Sequence, residues 1–475
     1  MKSFLSIIIA CVFCLSSFGQ ANRLQGTWNG SITPAIRLVF HFTADNNGKL
    51  SATLDSPDQG AKGIQCSAVI VNGDSVRVEI DVAKAFYKGN LANDTTLNGT
   101  WSQGGGNAPL NFKKGEEPAA RKRPQTPKPP FDYMTGEVEY DNADKTVHLG
   151  GTLTWPKGGG KYPVAILITG SGQQDRDETV FDHKPFAVIA DYLTKKGIAV
   201  LRVDDRGVGK STGELLTATS ADFAKDVQAG IDYLKTRSEV DPKKIGLIGH
   251  SEGGVIAPLV AANNKDVAYI VLWGAPVIGG LEINTKQNAY VLKNAGLSSS
   301  SVDAFKQLHR KALSLFKTAS DTAMLRTAIN KVFTQWRSNQ PDSILKSLYV
   351  NDNSIIGRNA FQMYYGLYKI PWMKYFIAHD FEADLAKVKC KVLAINGELD
   401  TQVDAATNLE AIDSILIKNN NRNYKIVSLK GLNHLLQTAT TGDVKEYEAT
   451  EETIAPQALD LIANWINENV NNKNK

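Results

Sequence analysis

Two hydrophobic periods divide the chain. From Leu24 to about Lys113, short alternating runs (IRLVFHF, KLSATL, SAVIV, SVRVEIDV) are separated by turn residues such as Asn46-Asn47-Gly48, Ser56-Pro57-Asp58 and Asn72-Gly73-Asp74. A period of two bounded by turns predicts half-buried antiparallel strands, so this part reads as a small all-β barrel or sandwich. Gly26-Thr27-Trp28 and Gly99-Thr100-Trp101 recur at its two ends. If the barrel closes, those two strands should be neighbours.

After the proline-rich, basic stretch GEEPAARKRPQTPKPP the pattern changes. VHLGGTLTWP reads as an edge strand, and PVAILITG, IAVLRVDD, IGLIG and YIVLWGAP as unbroken apolar strands of the kind buried on both faces. The runs PFAVIADYLTKKG, FAKDVQAGIDYLKTR and VIAPLVAA between them have the helical period. Such alternation predicts a doubly wound, mostly parallel sheet. After Pro276 it stops, and two helical faces follow: Val302, Phe305, His309, Ala312, Leu313 and Phe316, then Leu325, Ile329, Val332 and Trp336. These predict a helical cap at 277–388. With KVLAIN, AATNLEAIDSIL, YKIVSL and APQALDLIANWI the α/β order resumes, so the domain is interrupted, not repeated. The expected organisation is a β-rich domain at 21–113, a semi-rigid linker at 114–131 and an α/β domain at 132–475.

Lys2, the apolar run from Phe4 to Phe13 and the polar residues up to Gln20 have the order of a secretory signal peptide over residues 1–20. Export to the periplasm or beyond is expected, the alternative being a lipoprotein acylated at Cys11. No later run is long enough for a transmembrane segment. A net charge of +4 with 21% charged residues gives no case for a nucleic-acid or membrane-surface partner. In the mature chain, Cys66 and Cys390 fall in different domains and are expected to be buried free thiols.

Candidate chemistry centres on KIGLIGHSEGGVIAPLVAA. An apolar strand and an apolar helix meet here at Ser251, flanked by Gly249 and Gly253 where a sharp turn leaves no room for a Cβ. With 39 glycines in 475 residues, G-x-S-x-G arises by chance about 0.2 times in such a chain, so context must decide. A second copy, Gly209 to Gly213 around Ser211, follows a charged loop and precedes no apolar helix. Ser251 is therefore the expected nucleophile. It needs a base from the same sheet edge, and His434, in the loop after the last strand, fits. His41, His148, His183, His250, His309 and His379 do not. Asp400, at the end of the strand KVLAIN, is the expected orienting acid, with Glu398 and Asp404 as rivals; Asp404 suits a helix N-cap. Backbone N–H groups of Glu252 and of Ser171, or else Gly172, would form the oxyanion hole. In the aromatic-rich FQMYYGLYKIPWMKYF, Trp372 and Tyr365 would touch substrate if this stretch is a pocket wall and not simply cap core. Nothing calls for a metal or other cofactor.

Taken together, GSGQQDRD, DHKPFAVIADYL, VLRVDDRGVGKS, GHSEGG, INGELDTQV and GLNHLLQ resemble exported bacterial α/β-hydrolase carboxylesterases that carry a β-rich domain ahead of the catalytic one. The resemblance covers most of 133–470. It implies a serine esterase with the triad Ser251, Asp400 and His434, and Thr169 stands where that group has a histidine before its oxyanion glycine. Relatives of the group include feruloyl and acetyl esterases acting near plant polysaccharide and, further off, serine peptidases. The expected partner is a small-molecule or oligosaccharide-linked ester; a peptidase and an inert glycan- or lipid-binding protein are the competing expectations. Asp204, Asp205 and Arg206 are read as a loop-bracing ion network.

Overall fold

The computed structural model describes residues 23–33, 36–45, 47–56, 61–103, 106–115, 122–350 and 355–471. The expected signal peptide with Cys11 and Cys14, the turn residues Asn46, Pro57 and Asp58, and linker residues 116–121 lie outside the described residues. The chain forms two compact units, one reaching Lys122 and including Val180–Asp182, the other made of Arg123–Thr179 and His183–Lys475.

In the first unit the alternating runs become β1 (Gly26–Thr33), β2 (Ile36–Ala44), β3 (Leu50–Ser56), β4 (Ala61–Gln65), β5 (Ala68–Asn72), β6 (Ser75–Ile80), β7 (Ala85–Asn93), β8 (Thr96–Gln103) and β9 (Gly106–Lys114). Each pairs with its sequence neighbour, except that β4 and β5 form the two ends of the order β4-β3-β2-β1-β9-β8-β7-β6-β5. They are one course of chain. At the changeover Cys66 N–H donates to Ala52 O of β3 (3.0 Å) and Ser67 N–H to Glu79 O of β6 (2.7 Å), so a single bent strand joins both edges and closes a barrel. The two Gly-Thr-Trp strands are not neighbours: β9 lies between β1 and β8. That strand is hard to see in sequence because Pro109 sits inside it, where proline argues against a strand. Trp28, Phe40, Phe42, Tyr87 and Phe112 fill the interior, with ring centroids as close as 5.0 Å for Phe40 and Phe112. The barrel is thus a packed core and not a cup.

The second unit is built on β10 (Tyr133–Asp141), β11 (His148–Pro156), β12 (Tyr162–Ile168), β13 (Ala199–Val203), β14 (Val240–His250), β15 (Val267–Trp273), β16 (Lys391–Gly397) and β17 (Tyr424–Leu429). Their order is β10-β11-β13-β12-β14-β15-β16-β17. β11 is antiparallel to both its neighbours, and from β13 onward the strands run parallel. The edge strand is β10, not β11 as its sequence suggested. The charged alternation of TGEVEYD hides β10, while the small pair Gly150 and Gly151 lets β11 sit inside the sheet: a Cβ on Gly151 would come within 2.4 Å of Arg202 O.

The helices are α1 (Pro185–Lys195), α2 (Ser220–Lys235) and α3 (Gly253–Ala261), then α4 (Gly280–Asn294), α5 (Ser299–Ser314), α6 (Thr322–Ser338), α7 (Asp342–Ser347), α8 (Ile355–Tyr368), α9 (Pro371–Ala378) and α10 (Phe381–Leu385) between β15 and β16, and finally α11 (Ala405–Lys418), α12 (Lys445–Ala449) and α13 (Pro456–Ile466). Along β12, Val164, Ile166 and Ile168 face a core shared with α2, α3 and α11, while Ala165 and Leu167 face one shared with α1 and α13. Burying both faces is what an unbroken apolar strand requires. In α6 the buried stripe runs through Leu325, Ile329, Phe333 and Trp336, so Phe333 takes the place expected of Val332. From Arg123 the chain is tied to the second unit, its guanidinium donating to Thr450 O (2.7 Å) and Glu448 O (2.9 Å). Cys66 and Cys390 are free and only partly buried, and burial raises their thiols to about 11 and about 12.

Candidate active site

Ser251 follows β14, a central strand, and opens α3. Its φ of 51° lies in the left-handed region that side chains avoid, the strain expected where a strand doubles back into a helix. Close packing forces that turn. A Cβ on Gly249 would come within 2.0 Å of Gly253 O, and one on Gly253 within 2.2 Å of Ile168 O. The Ser251 amide donates to Trp273 O at the end of β15 (2.8 Å), which fixes the turn to the sheet.

His434 and Asp400 come from loops at the same edge, after β17 and β16. The His434 Nδ1 to Asp400 Oδ2 distance is 2.6 Å, and both side chains are buried. Asp400 Oδ1 accepts the amides of Gln402 and Val403, each at 2.8 Å. Asn433 ties off the His434 turn by accepting from the amides of Leu435 and Gln437, both at 3.0 Å. Trp273, whose carbonyl holds Ser251, also donates from its indole to His434 O (2.9 Å), so one residue is bonded to both segments. Asp404 caps α11, accepting the Thr407 amide at 2.9 Å, and Glu398 lies at the surface, accepting the Gly431 amide.

The loop after β12 is braced by two carboxyl groups: Glu178, which the sequence did not single out, and Asp205, which was expected to brace a loop as part of an ion network. Glu178 Oε1 accepts the Gly170 amide (2.6 Å) and lies 2.8 Å from His250 Nδ1. Set aside as a general base, His250 places its ring 4.7 Å from that of His434, the two planes tilted by 46°. The Gly170 amide is therefore engaged, whereas those of Ser171 and Glu252 have no partner among the described residues. Asp205 accepts from the Thr169 hydroxyl (2.7 Å) and the Gln174 amide (3.2 Å). It does not join an ion network: Asp204 pairs with Arg176 and Arg206 with Asp226, both at 2.7 Å, and Asp205 meets no cation among the described residues. Burial, with Glu252 and Glu178 nearby, holds its carboxyl well above the usual range. It lines a cavity of about 50 Å³ beneath the loop, together with Thr169, Gly170 and Glu252.

Glu252 is 2% exposed, and burial raises its pKa. Its Oε1 accepts from Ser220 Oγ (2.6 Å) and from Trp372 Nε1 of α9 (2.7 Å). Trp372 lines a pocket of about 320 Å³ with Ser171, Gly172, Leu215, Leu216, Ala218, Phe223 and Ile370. Tyr365 does not. It stacks on Phe361 at 5.0 Å within the core formed by α5, α6 and α8, because helical spacing turns it to that side. Ser211 is buried, donating to Asp204 O (2.7 Å) and accepting from the Gly150 amide (3.0 Å).

Comparison with known proteins bears on this arrangement. The chain is 30% identical over 236 residues to the esterase EstD of Thermotoga maritima, a match covering 49% of this chain and 55% of that protein. It is 26% identical over 145 residues to the uncharacterized protein YfhR of Escherichia coli O157:H7, covering 30% of this chain and 48% of that one. It thus spans about half the length of these curated relatives. Among solved structures, Est1E of Butyrivibrio proteoclasticus with bound ferulic acid is 18% identical with a TM-score of 0.40, covering 70% of this chain and 96% of that one. DcsB in complex with its substrate analogue is likewise 18% identical, with a TM-score of 0.42 over 71% of this chain and 100% of that one. A sequence profile of the Hydrolase_4 family, described as "Serine aminopeptidase, S33", matches residues 184–438, more than half of the chain and a span that contains Ser251, Asp400 and His434, and the chain belongs to that family.

Proposed function

We propose that the chain is a serine-dependent carboxylic-ester hydrolase working through an acyl-enzyme on Ser251. The observation that carries this is the 2.6 Å His434–Asp400 hydrogen bond at the sheet edge where Ser251 is held on a strained strand-to-helix turn. With Nδ1–H given to Asp400, the His434 imidazole keeps Nε2 free to take the Ser251 proton and later return it to the leaving alcohol. The oxyanion sits between the amides of Ser171 and Glu252, and water then releases the acid. The substrates are small-molecule or oligosaccharide-linked esters, with acetyl and feruloyl esters among those to try. The order of charge and apolarity in residues 1–20 supports export, and among the described residues no helix is long and apolar enough to cross a membrane.

A peptidase is the second reading, favoured by the family's description. An aminopeptidase must hold its substrate's ammonium group with an available carboxylate. Glu252, the nearest in sequence to Ser251, is buried and already bonded to Ser220 and Trp372, which supports the ester reading, as does the name of EstD. Rates on p-nitrophenyl acyl esters, feruloyl esters and aminoacyl p-nitroanilides decide between them. Esters should be turned over, and Ser251→Ala should lose that turnover and its labelling by a fluorophosphonate. Faster cleavage of the anilides, or labelling of Ser211, would sink the proposal.

A further inference from the structure

We infer that the pocket beside the oxyanion loop binds an uncharged apolar substituent of the ester, an alkyl or aryl group, and that Trp372 is the residue that sets its specificity. This rests on the proposed esterase activity and deepens it. Ser171 and Gly172 form one wall, so whatever fills the pocket lies next to the reacting carbonyl. The remaining walls are Leu215, Leu216, Ala218, Phe223, Ile370 and Trp372, with no charged side chain among them. At about 320 Å³ the space is at the small end of ligand pockets, of the order of 300–1,000 Å³. Leu216 and Ile370 at its rim are 77% and 44% exposed, apolar surface that a ligand would cover.

Trp372 differs from the other walls because it is fixed from below. Its indole N–H donates to Glu252 Oε1 (2.7 Å), and Glu252 also accepts from Ser220 (2.6 Å). The residue that follows the nucleophile thereby pins the apolar face of a helix belonging to the insertion between β15 and β16. An ammonium or carboxylate in the pocket would lose water and find no partner, whereas a methylene would only leave water.

Two ester series test this on the full-length protein, one lengthening the acyl chain on a fixed alcohol and one lengthening the alcohol on a fixed acyl group. In the series whose chain enters the pocket, kcat/KM is expected to rise about threefold to fourfold per methylene, or about a hundredfold from two to six carbons. The series that rises identifies which side of the ester is bound. The 6-aminohexanoyl ester should fall well below the hexanoyl ester, and the exposed pair Leu216→Glu and Ile370→Glu should flatten the rise. Flat profiles in both series, or equal rates for aminohexanoyl and hexanoyl, overturn the inference. Failure of the esterase reading is separable, because binding of p-nitrophenyl hexanoate to Ser251→Ala protein can be followed by tryptophan quenching. Tighter binding of the longer ester in either the acyl or the alcohol series, with the quench lost in Trp372→Phe, supports the pocket without any turnover; equal binding along both series refutes it.

Discussion

Asp400→Asn is informative because the two oxygens of Asp400 have different tasks. Oδ2 faces His434 Nδ1 at 2.6 Å, and Oδ1 accepts two backbone amides, Gln402 and Val403, at 2.8 Å each. Asparagine offers one acceptor. If its oxygen stays with the two amides, its NH₂ points at His434, Nδ1 must accept, and the imidazole proton moves to Nε2, where a base cannot use it. Turning the amide over corrects the tautomer but leaves two buried N–H donors facing an NH₂ group. Each costs about 1–2 kcal/mol, so the wrong tautomer is favoured by about 2–4 kcal/mol, a depletion of the competent form of about 30- to 1,000-fold. Loss of the negative charge that stabilises the imidazolium brings the expected fall in kcat toward about 10⁴-fold, the size this change has in a serine protease. Raising the pH should not restore activity, since the two tautomers carry the same number of protons. Asp404→Asn is the control: the exposed cap remains competent, so stability should stay within about 1 kcal/mol and kcat within a few-fold. The assay is kcat on one good p-nitrophenyl ester from pH 7 to 10, with urea unfolding of each variant. An Asp400→Asn enzyme within tenfold of wild type, or a larger loss in Asp404→Asn, would refute the assignment.

Ser211→Ala removes a hydroxyl bonded to Asp204 O and the Gly150 amide, so urea unfolding should show a loss of about 1–3 kcal/mol while kcat stays within a few-fold; a folded variant with kcat down a hundredfold would contradict this. Asp205 has a carboxyl pKa raised on folding, so the folded state holds a proton the unfolded state gives up, and its contribution is full below about pH 4 and lost as pH rises through the folded value. Asp205→Asn, which mimics the protonated form, should therefore gain Tm relative to wild type at pH 8 but not at pH 4; parallel pH curves would count against it. A chain starting at Arg123 keeps the bonds from Arg123 and Gln125 to the 448–454 segment that a chain starting at Phe131 lacks, and should be about 2 kcal/mol or more the stabler in urea; equal midpoints would show that these contacts contribute nothing.

The arrangement of Ser251, Asp400 and His434 was accessible from sequence because each lies just beyond an apolar run, and the ends of parallel strands gather at one edge of a sheet. What sequence hid has other causes. Strand β9 contains a proline and β10 alternates charges with apolar residues, so neither looks like a strand beside its neighbours. Asp204, Asp205 and Arg206 are alike as a charged triplet, yet the backbone turns each to a different partner: Asp204 to Arg176, Arg206 to Asp226, and Asp205 to the Thr169 hydroxyl. The bonds joining Glu252 to Ser220 and Trp372 span 32 and 120 residues, separations at which periodicity carries no information. Glu178 sits in a loop with no period at all, and its work for the Gly170 amide shows only when β12 and β14 lie side by side.

The closure of the β barrel sets how it would respond to being pulled. Its first and last strands meet in an antiparallel seam registered Trp28 to Lys114, Asn29 to Lys113 and Gly30 to Phe112, so the two ends of the unit leave from the same end of the same seam. Tension applied between them loads these rungs one after another, as a zipper is opened, and not all together as in shear. The seam is also shorter than the β1–β2 ladder, which is registered from Gly26 to Thr33. Under force the barrel should therefore part between β1 and β9 first, exposing Trp28 and Phe112 while the ladders from β2 to β8 are still paired.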